Sequence, residues 1–141
     1  VSEGHDHVAL VELLMRTMIQ DDFIAVFTDR AGEQRERRCP KLGGFIPDLY
    51  AMGVKDMERR EVGEAKSAGD LASPRTVPQL RAFLDHLAIF ARPRLLLAVP
   101  FAAVPTASRM LERLLNQSHK NINVVVLAPH VRRVVVEGWT A

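Results

Sequence analysis

Cysteine is nearly missing: the 141-residue chain carries one, Cys39. A single thiol excludes an intrachain disulfide and any thiolate-rich zinc site. No His/Asp arrangement around Cys39 would make it a nucleophile, so it reads as a structural thiol. No apolar run reaches the ~20 residues that span a bilayer. The opening Val1-Ser2-Glu3-Gly4-His5-Asp6 is polar and acidic, unlike a secretory leader. These absences lead us to expect a soluble, cytoplasmic protein with no membrane partner. Strong net charge is missing as well: 19 Lys+Arg against 17 Asp+Glu leaves +2, too little to name a partner. Nor is there an internal repeat, heptad, low-complexity tract or domain-scale linker. Residues 1–141 are therefore expected to form a single domain, a usual size for one. None of the histidines has zinc-site spacing. His5 and His7 read as exposed near the chain start, and His86 as helix surface. His119 reads as a partner of helix-end carbonyls, and His130 as the start of a turn.

What is present is a core. Hydrophobic residues make up 48% of the chain, which excludes wholesale disorder. From His7 to Gln20, Val8, Leu10, Val11, Leu14, Met15 and Met18 recur at helical spacing. Phe23 to Thr28 reads as a strand, Arg35 to Cys39 as a weak returning strand, Phe45 to Met52 as a strand with Pro47 early in it, and Glu61 to Ser67 as another. Residues 68–75 read as a loop. A helix opens at Thr76 or Pro78 and buries Leu80, Phe83, Leu84 and Leu87. Arg94 to Pro100 has the continuous apolar run of a central strand. A helix over Thr106 to Ser118, a strand over Asn123 to Ala128 and a last strand over Val131 to Glu137 complete the order. A β-meander followed by β-α-β-α-β predicts an α/β fold: a mixed β-sheet flanked by helices. The segment 30–41 is locally basic and arginine-rich. It reads first as a solvated face and second as a nucleic-acid contact.

The chemistry concentrates in Pro47-Asp48 and Glu64-Ala65-Lys66. Side chains alternate along a strand, so Glu64 and Lys66 share a face. If the two strands pair, Asp48 and Glu64 come close. Two acids beside a lysine suit a hard cation that prefers oxygen ligands, Mg²⁺ with Mn²⁺ as its substitute, and the Ala65 carbonyl is a further ligand candidate. Lys66 would orient the attacking water or offset charge at a scissile phosphate. Plain structural alternatives stand beside these: Asp48 as a turn cap, and Glu64 and Lys66 as solvent-facing strand residues.

The pattern Gly44-Phe45-Ile46-Pro47-Asp48-Leu49, then Glu61-Val62-Gly63-Glu64-Ala65-Lys66-Ser67, resembles the PD-(D/E)xK nuclease superfamily. The likeness spans roughly residues 7–128 by element order and a few short motifs by identity. It implies a restriction-endonuclease-like fold, core order αβββαβ with an added αβ. Asp48, Glu64 and Lys66 match the family's metal-binding and catalytic positions. Glu12 is the best match to its first-helix acid, with a surface helix acid as the alternative. Gln79 matches a glutamine of the RecB-like and virus-type replication-repair branches, with a helix-start cap as the alternative; Phe83 stands where RecB-like members often carry tyrosine. The implied activity is Mg²⁺-dependent hydrolysis of DNA, as in small Holliday-junction resolvases. The implied partners are DNA, a second copy in a homodimer, or a larger nucleic-acid-processing complex. Some members have lost catalysis and serve as binding modules.

Overall fold

The computed structural model describes residues 2–20, 25–28, 39–53, 55–130 and 134–137. Helix α1 (Ser2–Gln20) leads into β1 (Ala25–Thr28), β2 (Leu49–Met52) and β3 (Arg59–Ala65). The short α2 (Ala68–Leu71) and α3 (Thr76–Leu87) follow, then β4 (Arg92–Ala98), α4 (Val104–Leu114), β5 (Asn123–Leu127) and β6 (Val134–Val136). The six strands form one sheet in chain order, β1-β2-β3-β4-β5-β6. β3 with β4 and β4 with β5 are parallel, and the other pairs are antiparallel. This is the mixed α/β architecture that the sequence pattern predicts.

Each parallel pair needs a crossover, and crossovers of one hand advancing in one direction land on one face. Accordingly α3 and α4 share a core with Tyr50, Val62, Leu95, Leu97, Val124 and Val126. The opposite face is left for α1. Its Leu10, Val11, Leu14 and Met18 pack on Leu49, Ala51, Ala65, Leu96, Ala98 and Val125. Gly63 permits this close seat, since a Cβ there would stand 2.9 Å from Met18 Cε. With both faces covered, Leu95, Leu96 and Leu97 are all fully buried, which explains the unbroken apolar run. Leu96→Ala should therefore cost about 2–5 kcal/mol, read as a lower urea midpoint at unchanged slope.

Several boundaries differ from expectation. Phe45 to Asp48 is not strand. Gly43 (φ 57°) and Gly44 (φ 90°) reverse the chain, and Leu42 and Phe45 exchange backbone hydrogen bonds of 2.7 and 3.0 Å across that turn. Pro47 has no N–H to offer a ladder, so β2 starts only at Leu49. Residues 68–71 hold the helical turn α2, because Ser67 and Asp70 form a reciprocal capping box. α4 begins earlier, with Pro105 in its first turn, and stops at Leu114. Leu115 is extended (ψ 138°), and the chain resumes in a 3-10 turn over Gln117–His119. Arg35 to Arg38, Phe23, Ile24 and Val131 to Arg133 lie outside the described residues; Cys39 is buried and not in a strand.

Two histidines are structural rather than superficial. Tyr50 Oη accepts from Arg60 Nη1 at 2.9 Å and so turns its own proton to His86 Nε2 at 2.7 Å. Burial and the Arg60 charge hold His86 below its ordinary 6.5. His119 is buried and, among the described residues, its ring meets no helix-end carbonyl. Its Nδ1 accepts from the Asn116 N–H, and Nε2 lies 2.8 Å from Asp85 Oδ1. Among the described residues, no helix is long and apolar enough to cross a membrane.

Candidate active site

The β2–β3 register, Leu49 opposite Gly63, sets Asp48 across from Glu64 one step beyond the last paired residues. The two acids then clasp the opposing backbones. The Asp48 N–H donates to Glu64 Oε1 at 3.0 Å, and the Ala65 N–H donates to Asp48 Oδ2 at 2.8 Å. Each carboxylate turns its other oxygen to a basic side chain. Lys66 Nζ lies 3.3 Å from Glu64 Oε2, and His7 Nε2 lies 3.4 Å from Asp48 Oδ1. The Glu64 and Lys66 side chains are only 5% and 12% exposed, against 22% for Asp48 and 44% for His7. The site is thus deepest at Glu64 and opens toward α1. Cys39 lies behind it, its Sγ 3.7 Å from the Asp48 carbonyl.

Burial, and next the Asp48 carboxylate, push Glu64 up to about 8 against the opposing pull of Lys66. The folded state therefore keeps a proton that the unfolded chain releases near 4.5. Stability from this group is full below about pH 4.5 and is lost as pH climbs to about 8, on the order of several kcal/mol. Glu64→Gln keeps an acceptor for Asp48 N–H and abolishes the titration. Its urea midpoint in EDTA should fall much less between about pH 5 and about pH 8 than that of the wild type. Equal falls would show that Glu64 does not carry this pH dependence.

The donor set fits a hard divalent cation. Two carboxylates adjoin, one is disfavoured as an anion where it sits, and the oxygens facing Lys66 and His7 are the ones turned away from the backbone. Ala65 is held at the same point through its N–H. Among the described residues, however, no three His, Cys, Asp or Glu side chains form a ready metal cage.

The other sequence candidates are placed differently. Gln79 is 6% exposed in the first turn of α3, and its Oε1 meets no hydrogen-bond donor among the described residues. Glu12 is exposed and lines a groove with Arg16, Thr17, Pro129 and His130. No contact among the described residues joins it to Asp48 or Glu64. Helix phase explains this, because five positions are ~140° of rotation and ~7.5 Å of rise. A helix that presents His7 to Asp48 turns Glu12 elsewhere. His7 is the α1 residue the sequence reading passed over; its spacing from Leu10, Val11, Leu14 and Met18 puts it in line with the buried stripe of the helix, but only the tertiary contact joins it to Asp48.

Comparison with protein-family models, with curated proteins and with solved structures finds no match to this chain.

Proposed function

We propose that this chain is a metal-dependent DNA nuclease that hydrolyses phosphodiester bonds, with a restriction-endonuclease-like fold. The observation that carries the proposal is the convergence of Asp48, Glu64 and Lys66 where β2 begins and β3 ends. The element order α1-β1-β2-β3-α3-β4, with two antiparallel pairings and then a parallel one, supports the fold part of this reading.

In this reading Asp48 and Glu64 hold Mg²⁺ or Mn²⁺, which when bound supplies Lewis-acid polarisation of the phosphate. Asp48 and Glu64 stay aimed because each is anchored to the neighbouring strand's backbone. Lys66, released from Glu64 Oε2, orients the attacking water and offsets charge growing on the phosphate oxygens. His7 holds the outer oxygen of Asp48. Water adds at phosphorus as the bond to the leaving oxygen breaks; the attacking water gives up one proton to solvent, and the leaving oxygen takes one up from solvent, so the two transfers balance.

A second reading has an observation of its own. All four carboxylate oxygens already meet an N–H or a basic nitrogen, so the acids are satisfied without a cation. That suits a catalytically silent DNA- or protein-binding module. Labelled duplex, single-stranded, flapped and four-way-junction DNA incubated with Mg²⁺, Mn²⁺ or EDTA decides between them. Cleavage in the metal lanes alone is expected; intact DNA in every lane would favour the silent module.

A further inference from the structure

We infer that two features flanking the acids grip an unpaired stretch of DNA strand: Phe101 stacks on a base, and Arg75, seated on Phe45, takes a phosphate. The inference rests on the nucleic-acid reading above and deepens it by naming the form of DNA that the site takes.

The first flank is Phe101. β3 and β4 are parallel with Ala65 opposite Ala98, and the Lys66 N–H donates to the Ala98 carbonyl at 2.9 Å. The chain leaving β4 therefore emerges beside Lys66, and Phe101 lies three residues on. Its ring is 68% exposed, and it is the one aromatic among the exposed large hydrophobics of the described residues. The backbone under the ring is fixed. Pro100 is extended, the Ala103 N–H closes a 3-10 turn onto the Pro100 carbonyl at 2.9 Å, and Ala103 is buried. A solvent-facing ring on a fixed backbone, one short turn from the strand end beside Lys66, offers a stacking surface whose main chain needs no further ordering. Bases inside a duplex already stack on their neighbours and present only edges to a groove. Away from duplex ends, a ring at the rim therefore meets a base face where the strand is unpaired.

The second flank is Arg75. Phe45 lies three residues before Asp48, in the tight turn closed by Leu42 and Phe45. The Arg75 guanidinium sits 5.0 Å over its ring. Arg75 is exposed and has no carboxylate partner among the described residues. Its charge is held in place by an aromatic face rather than neutralised by an acid, which leaves its N–H fork for a phosphate. One anchor thus stands on the β2 side of the acids and the other on the β4 side.

The test is fluorescence anisotropy of a labelled ~20-nucleotide oligo-dT and of a ~20-base-pair duplex, in EDTA so that nothing is cut. Wild type should hold the single strand more tightly. Phe101→Ala should weaken the single strand at least ~5-fold and the duplex by less than about 2-fold. Arg75→Ala should weaken both and reduce the salt slope by roughly one phosphate's worth. Single-strand affinity within about 2-fold of wild type in Phe101→Ala, or equal losses on both DNAs, overturns the inference. The nuclease reading fails separately. Phe101-dependent single-strand binding with no cleavage in Mg²⁺ or Mn²⁺ sinks catalysis and upholds the grip. Cleavage with binding indifferent to Phe101 does the reverse.

Discussion

Lys66→Ala should yield a folded protein that binds DNA close to wild-type strength and cuts it at least ~10²–10³-fold more slowly. The side chain is only 12% exposed and its one described charge partner is Glu64 Oε2. In the proposed nuclease reading, removing it deprives the reacting phosphate of the ammonium beside Glu64. It also withdraws the charge that pulls Glu64 downward, so Glu64 holds its proton still more tightly and releases it less readily to a cation. The fold should survive, because a protonated Glu64 is no stranded anion near neutral pH. Lys66→Arg is a sharper control. It keeps the charge but replaces a compact ammonium with a wide planar fork, and it should also be slow. Single-turnover cleavage at saturating enzyme, beside anisotropy in EDTA, separates the rate from the affinity. A Lys66→Ala protein that cuts at the wild-type rate would remove Lys66 from the chemistry.

Glu61→Ala or Arg94→Ala should destabilise the protein by about 3–5 kcal/mol, among the largest single-residue losses expected here. Glu61 is fully buried in the middle strand, and Arg94 faces it directly across the β3–β4 register. Arg94 Nη2 donates to Oε1 at 2.8 Å and lies 2.7 Å from Oε2. Arg94→Ala takes the opposing charge from a fully buried Glu61, and Glu61→Ala takes it from Arg94, whose side chain is 14% exposed. Replacing both with apolar residues of similar volume, Glu61→Leu with Arg94→Met, should restore most of the loss, since the pair's own desolvation cost disappears with it. Urea denaturation of Glu61→Leu, Arg94→Met and the double variant measures the coupling. Losses that simply add would mean that the two groups are independent. DNA cleavage per folded molecule should be unchanged in the double variant, because neither side chain meets Asp48, Glu64 or Lys66 among the described contacts.

The triad of Asp48, Glu64 and Lys66 was legible because a strand has period two. Once Glu64-Ala65-Lys66 reads as strand, the acid and the lysine must share a face. Pairing with the preceding strand brings in Asp48. The α1 contribution was not legible. Amphipathic spacing defines which side of a helix is buried, as Leu10, Leu14 and Met18 show, but not how far the helix slides along the sheet. That shift decides whether position 7 reaches the acids; helix phase already turns position 12 away. His119 shows the same limit in another form. Its partner Asp85 is 34 residues away on α3, and nothing near His119 announces it. The truncated start of β2 was half legible. Gly43-Gly44 and Pro47 are visible breakers, but the apolar Phe45 and Ile46 between them imitate a strand that the positive φ angles at the glycines do not allow.

The strand order has a consequence for how the molecule assembles. Among the described strands none is inserted between two earlier ones, so each finds its sheet partner in the one made just before it. The clasp between Asp48 and Glu64 closes a loop of only 16 residues, a short and entropically cheap closure. A chain emerging from the ribosome can pair β2 with β3 before β4 exists. What makes Glu64 unusual is its burial, and that waits for α3 and β4 to arrive. Assembly in that order would bring the acids together in water, where two negative charges are tolerable, and would take their solvent away only as the later half of the chain docks.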